Sequence, residues 1–325
     1  MHKVVLIGAG RIGRIHARNA AYHTRIELAG VVDAIDAAAQ SLAQEYAAPI
    51  LTLEQALADE SIAGVIIASS TDTHLDYSVR AAAAGKAIFC EKPIDQDLGR
   101  AKAASMQLSK ANLLLAFNRR FDPNFQALKA RLDSGAIGAL ETLQITSNDP
   151  SPPPPSYVAV SGGLFKDMAI HDFDMARWLL GEEPVEVYAA GSCLVDAEIG
   201  KLGDVDTART VLKTASGKLC VISNSRRSGF GYDQRIEAYA SAGMVRADNV
   251  TESTVQVWSE NGAAADRFQN FFLDRYAEAY RREMDHFADM LEGAPASVGY
   301  ADGVAALALA EAAAESVRSG QPVKL

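Results

Sequence analysis

The sequence has few cysteines, no excess of basic residues and no long apolar run, and each of these shortages excludes a class of protein. Only 3 of the 325 residues are cysteine and no CxxC pair is present, so neither a disulfide scaffold nor a cysteine zinc site is expected. Lys and Arg total 31 against 41 acidic residues, and the net charge of −10 gives a nucleic-acid partner no general electrostatic support. No segment approaches the roughly 18 consecutive apolar residues of a membrane span. We therefore expect no metal, no nucleic acid and no membrane as a partner.

What is present indicates a globular protein with two domains. The chain is 49% hydrophobic and 22% charged, proportions that allow a buried core and argue against disorder. At about 150 residues per domain, a length of 325 residues predicts two domains. The opening segment MHKVVLIGAG is expected to be a first strand and not a signal peptide, because its short apolar run stops at glycines. Together with the sparse cysteines, this favours a cytoplasmic protein.

The first part of the chain alternates short apolar runs with helical stretches. This alternation is typical of a parallel sheet covered by helices on both faces. We therefore predict an α/β fold, with a Rossmann-type, doubly wound domain over residues 1–120. The predicted strands are KVVLIG, ELAGVVD, GVIIAS, AIFCE and LLLAF, and the predicted helices span 12–22, 37–46, 74–84 and 98–109.

After residue 120 the pattern changes. β-type runs follow one another with few helices between them, which predicts an α+β domain with a mostly antiparallel open sheet over residues 121–325. The prolines at 152–155 are expected in a loop, because proline continues neither a helix nor a central strand. Helices are expected over 124–134, over 166–180 with Gly181 as C-cap, and over 276–291 and 302–319. The predicted strands are 140–147, VEVYAAGSCLV, TARTVLKT, KLCVISNSR, DQRIEAYA and STVQVWS.

A glycine-rich turn follows the first predicted strand. Gly8, Gly10 and Gly13 have the spacing GxGxxG, which allows a tight turn, close approach of a pyrophosphate and close helix packing. Asp33 ends the second predicted strand, 20 residues after Gly13, where a carboxylate accepts the ribose 2′-hydroxyl of NAD and repels the 2′-phosphate of NADP. Asp36 adds negative charge and no Lys or Arg occurs from 34 to 46, so NAD is the expected cofactor. The alternative is a turn that binds nothing, with Asp33 as an ordinary helix cap.

Two further strand ends carry polar residues. Ser69, Ser70 and Thr71 follow the GVIIAS strand, where they would contact a cofactor or, alternatively, cap the next helix. The tripeptide EKP ends the AIFCE strand and contains Lys92. Because ligands bind at the carboxyl ends of parallel strands, we expect Lys92 to point toward the nicotinamide end of the cleft. The alternative is a solvated surface charge.

An acid and a histidine lie four residues apart in the second half. On one face of the predicted helix, Asp167 can orient His171 and stabilise its protonated form, as a general base requires. Three other interpretations stay open: a surface pair, a metal site completed by Asp172 or Asp174, and a core histidine. Spacing alone does not decide among them.

In combination these motifs resemble those of a known family. The GAGRIG turn, the EKP tripeptide and the segment GGxxxDxxxHDxD followed by RWLLG are characteristic of the Gfo/Idh/MocA oxidoreductases, which the chain resembles over essentially its full length. Finer motifs, namely FNRRFDP, NDP, VDTAR, SRR and GYDQR, are similar to those of the inositol dehydrogenases of that family.

The resemblance implies a set of functional residues. Lys92, Asp167 and His171 would be catalytic, with either His171 or Lys92 as the base. Phe230 is the alternative to Tyr232 as an aromatic neighbour of the substrate. The implied cofactor-binding residues are Gly8, Gly10, Arg11, Ile12, Gly13, Asp33, Ser69, Ser70, Thr71, His74, Glu91, Lys92 and Arg119, and the implied substrate-binding residues are Lys92, Arg119, Asp149, Asp167, His171 and Tyr232.

The resemblance also implies an activity. We expect NAD-dependent oxidation of myo-inositol to 2-keto-myo-inositol (scyllo-inosose) by a homotetramer that uses strands of its second domain as a subunit interface. The alternatives are a dehydrogenase of another inositol isomer, a sugar or an aminosugar, an NAD-dependent glycoside-cleaving enzyme, and a regulatory module that binds NAD without turnover.

Overall fold

The computed structural model describes residues 1–325, which divide into two compact units. Unit 1 comprises Met1–Phe121 and Ala279–Leu307, and unit 2 comprises Asp122–Glu278 and Ala308–Leu325. The first crossing follows residue 121, next to the boundary expected at residue 120. The expected second domain, 121–325, differs from unit 2 because a C-terminal segment returns to unit 1.

A five-stranded parallel sheet forms the centre of unit 1. Its strands are β1 (His2–Ile7), β2 (Ile26–Val32), β3 (Ile62–Ile67), β4 (Ala87–Glu91) and β5 (Leu113–Ala116). Their order is β2-β1-β3-β4-β5, and every neighbouring pair is parallel. Because side chains of a strand point alternately to the two faces, the continuous burial of β5 shows that both faces are covered. The predicted doubly wound α/β fold is confirmed.

Six helices connect these strands. They are α1 (Arg11–Ala21), α2 (Asp36–Tyr46), α3 (Leu53–Ala58), α4 (Thr71–Ala83), α5 (Leu98–Ala103) and α6 (Ser105–Leu108). Helix α3 was not predicted from the sequence, although Thr52 and Gln55 form a capping box at its start. The helix predicted over 98–109 is divided at Ala104 into α5 and α6.

Unit 2 contains a seven-stranded sheet that is mostly antiparallel, as predicted. The strands are β6 (Leu140–Asn148), β7 (Pro184–Ser192), β8 (Thr207–Thr214), β9 (Leu219–Ser225), β10 (Asp233–Ala240), β11 (Gly243–Ala247) and, last in the chain, β14 (Val323–Lys324). Their order is β11-β10-β6-β9-β8-β7-β14, and only β6 and β9 are parallel neighbours. The predicted strand STVQVWS lies outside this sheet, because β12 (Gln256–Ser259) pairs with β13 (Gly262–Ala265) in an exposed hairpin.

The helices of unit 2 depart from the prediction at the catalytic motif. A 3-10 turn (Asn118–Phe121) ends the first segment of unit 1. The helices that follow it in unit 2 are α7 (Pro123–Asp133), α8 (Pro155–Ser161), α9 (Gly163–Asp167), α10 (Ile170–Leu180), α11 (Ala197–Lys201) and α12 (Phe272–Arg275). The continuous helix predicted over 166–180 is wrong, since α9 ends before α10 begins. Between them the Ala169 N–H donates to the carbonyl of Leu164, five residues back, which breaks the regular four-residue pattern. Gly181 ends α10 in the left-handed conformation, as expected.

Two long helices near the end of the chain contain most of the segment Ala279–Leu307 that belongs to unit 1. They are α13 (Ala277–Leu291) and α14 (Tyr300–Ser319). The buried residues Tyr280, Met284 and Phe287 share one face of α13, and Phe287 packs against Phe89 of β4 with ring centroids 5.7 Å apart. A helical period predicts such an apolar face but not which sheet it covers, so the sequence did not predict that α13 packs on the sheet of unit 1. None of the helices combines the length and apolarity that crossing a membrane requires.

Candidate active site

The glycine turn of unit 1 has the geometry that a dinucleotide pyrophosphate needs. Gly8 has φ of +105°, and a Cβ there would lie 2.5 Å from the backbone of Ala68. A Cβ on Gly13 would lie 1.9 Å from the Gly8 carbonyl oxygen, so both positions require glycine. By contrast, the space beside Gly10 is open within 4 Å, and no side chain caps the N-terminus of α1. The start of α1 therefore has no side-chain cap and leaves room for close approach at Gly10, as the binding of a pyrophosphate to backbone N–H groups requires.

Asp33 follows β2 and binds the glycine turn directly. Its Oδ2 accepts a hydrogen bond from the Ala9 N–H at 2.6 Å, and its Oδ1 accepts one from the Ile35 N–H at 2.7 Å. The structure thus gives Asp33 a contact that sequence reasoning missed: it fixes the turn as well as offering a carboxylate to a ribose. A carboxylate oxygen has two lone pairs, so each oxygen retains capacity for a hydroxyl.

The polar residues after β3 do not behave as ordinary helix caps. Ser70 occupies the N-cap position of α4 but makes no side-chain capping bond, and the Ser69 hydroxyl lies 2.6 Å from that of Thr73. His74 is buried, with Nδ1 2.8 Å from the Pro93 carbonyl and Nε2 3.1 Å from the Ser69 carbonyl. Burial lowers the pKa of His74, which favours a neutral ring. His74 therefore connects the chain after β3 to the chain after β4.

A buried histidine of α1 contacts the EKP tripeptide through Glu91. Glu91 Oε1 lies 2.7 Å from Nε2 of the fully buried His16, and Glu91 Oε2 accepts the Lys92 N–H at 3.3 Å. The Lys92–Pro93 peptide is cis, and Lys92 itself is partly exposed. Glu91, expected to bind cofactor, thus supports the backbone that carries Lys92.

In unit 2 the predicted catalytic acid, Asp167, contacts Tyr157 and Arg226, which no motif of the sequence connects with it. Asp167 Oδ1 accepts the Tyr157 hydroxyl at 2.9 Å, and Asp167 Oδ2 accepts Nη1 of Arg226 at 3.2 Å. His171 lies in the first turn of α10 and is partly exposed. Because α9 and α10 are separate, the sequence argument that Asp167 and His171 share a face of one continuous helix does not apply.

The two acids considered as metal ligands have protein partners instead. Asp172 and Asp174 are fully buried, and Asp172 Oδ2 accepts the Asn224 side-chain amide at 2.8 Å. Asp174 Oδ1 lies 3.8 Å from Nη1 of Arg177, three residues along α10. Both carboxylates are therefore explained by the packing of α10.

The predicted substrate residues are distributed over both units. Arg119 is buried in the 3-10 turn of unit 1, at 4% exposure. In unit 2, Asp149 follows β6, and its Oδ2 lies 3.9 Å from Nη1 of Arg226. Tyr232 is buried with its ring 6.0 Å from that of Tyr276, whereas Phe230 is 58% exposed. The structure therefore buries Tyr232 and exposes Phe230, and the assignment of Tyr232 as the aromatic that contacts substrate stays a prediction.

Two family patterns match the chain. The pattern described as "Oxidoreductase family, NAD-binding Rossmann fold" covers residues 2–118, and that described as "GFO/IDH/MocA C-terminal domain" covers residues 125–246. The chain belongs to the GFO/IDH/MocA oxidoreductase family. Its first domain is accordingly an NAD-binding Rossmann domain, as predicted.

Relatives in this family match almost the whole chain. The inositol 2-dehydrogenase of Rhizobium meliloti (strain 1021) is 47% identical over 323 residues, 98% of each chain. The crystal structure of a myo-inositol dehydrogenase from Corynebacterium glutamicum ATCC 13032 is 41% identical with a TM-score of 0.96, covering 100% of this chain and 99% of that one. A scyllo-inositol dehydrogenase from Lactobacillus casei, crystallised with NAD(H) and scyllo-inositol, is 27% identical with a TM-score of 0.89, again covering 100% and 99%.

Three residues of this family member contact predicted site residues but were missed by sequence reasoning. They are His16 behind Glu91, and Tyr157 and Arg226 beside Asp167. For Arg226 a signal was present in the sequence, because the period of two places it on the same face as the apolar residues Cys220 and Ile222 of the preceding strand. Tyr157 follows the proline run, and nothing in its local pattern pointed to Asp167.

Proposed function

We propose that this protein catalyses the NAD-dependent oxidation of myo-inositol to 2-keto-myo-inositol. The main support is its near-complete match, at 47% identity, to an inositol 2-dehydrogenase. The second support is the geometry around Gly8, Gly13 and Asp33, where glycine is required and a carboxylate is available to a ribose hydroxyl. Both supports are consistent with the NAD-dependent oxidoreductase chemistry of the family.

Cofactor binding is assigned to unit 1. The N–H groups at the start of α1 bind the pyrophosphate, and Asp33 accepts the adenosine ribose hydroxyl. The carboxylates of Asp33 and Asp36 and the lack of Lys or Arg over 34–46 disfavour a 2′-phosphate. Bound in this site, the nicotinamide of NAD would supply the acceptor for the hydride of the carbinol carbon.

Catalysis of the proton transfer is assigned to one base and two supporting side chains. His171 removes the hydroxyl proton, Lys92 stabilises the negative charge that develops on the oxygen, and Asp167 orients His171. The competing assignment makes Lys92 the base. We expect Lys92→Ala and His171→Ala each to lower kcat by at least about 10²-fold while leaving the Kd of NAD nearly unchanged.

Stopped-flow and steady-state rates, with NAD titrated separately, measure these two effects. Wild-type turnover in both variants would contradict the assignment. A loss of NAD binding comparable to the loss of kcat would show instead that the substitutions disturb the cofactor site.

Substrate selectivity is assigned to polar side chains. A ring that carries a hydroxyl on every carbon penalises any donor or acceptor left unpaired, so Arg119, Asp149 and Tyr232 are the proposed contacts. The competing substrate is scyllo-inositol, because a structural relative was crystallised with that isomer. Initial rates with NAD and NADP on myo-inositol, scyllo-inositol, D-chiro-inositol and glucose decide between them. NAD binding without turnover on any of these would favour a regulatory module.

We also propose a cytoplasmic homotetramer. The three cysteines are free, as expected in a reducing compartment. On the seven-stranded sheet, Tyr188, Val211 and Val221 are direct cross-strand neighbours, and Tyr188 and Val221 are 43% and 40% exposed. An apolar row on an uncovered sheet face favours burial against another subunit. We expect Val221→Asp to reduce the mass measured by analytical ultracentrifugation, and an unchanged mass would locate the interface elsewhere.

A further inference from the structure

Arg226 is a buried cation directly after β9 of unit 2. Its exposure is 1%, and its backbone N–H donates to the Asp206 carbonyl at 2.8 Å, which fixes the chain at this point. A charged group this deep is retained only where opposite charge or hydrogen bonds offset the loss of hydration. The groups that surround the guanidinium therefore indicate the role of the buried charge.

The guanidinium lies between two carboxylates that belong to the candidate site. Nη1 is 3.2 Å from Oδ2 of Asp167 and 3.9 Å from Oδ2 of Asp149. Nε and Nη2 are buried and find no acceptor in the protein. Arg226 thus places one buried positive charge beside both Asp167 and Asp149, so a single side chain constrains two carboxylates of the candidate site.

The end of β9 also contacts the segment that carries His171 at a second point. Asn224, two residues before Arg226, lies on the same side of the chain and donates its amide to Asp172 at 2.8 Å. Asn224 is itself fully buried. Arg226 holds Asp167 and Asn224 holds Asp172, so the end of β9 anchors both sides of the short segment that carries His171.

We propose that Arg226 is a positioning residue for the dehydrogenase reaction, which orients Asp167, and through it His171, and also aligns Asp149 for the polyol. This inference rests on the proposed function. Both carboxylates lie beside the same nitrogen, Nη1, which the buried planar guanidinium keeps in one place, whereas a lysine ammonium is a point charge on a flexible stem. Asp167 would then need both Arg226 and Tyr157 to keep its orientation.

The test compares Arg226→Ala, Arg226→Lys and the control Arg227→Ala. Arg227 is the adjacent arginine, is exposed, and loses the same charge. With myo-inositol as substrate, we expect Arg226→Ala to lower kcat by roughly 10²-fold and Arg226→Lys by roughly tenfold. We expect the Kd of NAD to stay at its wild-type value in all three variants, and Arg227→Ala to keep the wild-type kcat.

Chemical rescue separates positioning by charge from a packing defect. Guanidinium added to Arg226→Ala at non-denaturing concentration should restore at least part of kcat, whereas urea, which has the same shape without the charge, should not. Equal restoration by both compounds, or wild-type kcat in Arg226→Ala, would overturn the inference. If Arg226→Ala does not fold, Arg226→Lys decides, because wild-type kcat in that variant also overturns it. A wild-type protein inactive on every inositol would overturn the proposed function and this inference together, whereas an active wild type with unaffected variants would overturn only the latter.

Discussion

Replacing Asp33 tests whether one carboxylate both shapes the glycine turn and selects the cofactor. In Asp33→Ala, the Ala9 N–H loses its acceptor at 2.6 Å and the Ile35 N–H loses its acceptor at 2.7 Å. The proposed hydrogen bond to the NAD ribose is lost as well. Asp33→Asn keeps one carbonyl oxygen for the turn and removes the charge, so the two variants separate the two roles.

The expected loss of affinity follows from the number of contacts that act on NAD binding. A hydrogen bond to a charged acceptor contributes about 1.5–3 kcal/mol when buried. Asp33 is only partly buried, so we take about 1 kcal/mol for each of the ribose bond and the Ala9 bond that holds the turn in its binding shape. Together these give about 2 kcal/mol, or roughly a 30-fold rise in the Kd of NAD.

Isothermal titration of NAD and NADP into each variant measures this effect. We expect the full rise for Asp33→Ala, a smaller rise for Asp33→Asn, and no tight NADP binding in either variant, because the turn is loosened and no cation replaces the carboxylate. Glu45→Ala, which removes an exposed acid from α2, is the matched control. An unchanged Kd of NAD in Asp33→Ala, or NADP binding as tight as that of NAD to the wild type, would refute this reasoning.

Two further predictions concern stability. Asp122 caps α7 by accepting the N–H groups of Asn124 and Phe125, and it forms an ion pair with the buried Arg275. Because Asp122→Ala removes both the cap and the pair, it should lower the free energy of unfolding by about 4–6 kcal/mol. Asp122→Asn keeps the cap and should lower the free energy of unfolding by only about 3–5 kcal/mol. Urea unfolding measures both, and a loss no larger than about 1 kcal/mol, that of a cap alone, would contradict the ion-pair argument. Glu283 is fully buried, and burial, with the nearby charge of Glu91, raises its pKa well above 4.5. A raised folded-state pKa stabilises the protein fully below the ordinary carboxyl pKa and progressively less as pH rises through the folded value, so wild-type stability should fall with rising pH relative to Glu283→Gln. Parallel pH profiles for the two proteins would show that Glu283 titrates normally.

Several residues expected to touch ligands also hold other residues in place. Asp33 binds the glycine turn, Glu91 binds His16, and His74 connects the ends of two strands. A substitution at any of them therefore changes the shape of the site as well as its contacts. Their kinetic effects need a binding measurement beside them before a direct ligand contact is inferred.

The local patterns of the sequence were sufficient for most of unit 1 and for the type of unit 2. Apolar runs, turn glycines and the spacing from Gly13 to Asp33 act within a few residues to a few tens of residues, so they predicted the parallel sheet, the dinucleotide turn and the antiparallel second sheet. They did not predict that α13 returns to unit 1, because an apolar helix face is complementary to more than one sheet. They also did not predict the interruption before His171, which depends on a carbonyl five residues back rather than four.

The sequence by itself determined the residue types at the site and the family to which they belong. Only the tertiary structure decided which residues support them: His16 contacts Glu91, and Tyr157 and Arg226 contact Asp167. These partners are 75, 10 and 59 residues apart along the chain, and two of the three separations exceed any periodic pattern of a helix or strand. Long-range packing alone brings such residues within hydrogen-bond distance, which is why the supporting contacts of the site were visible only in the folded chain.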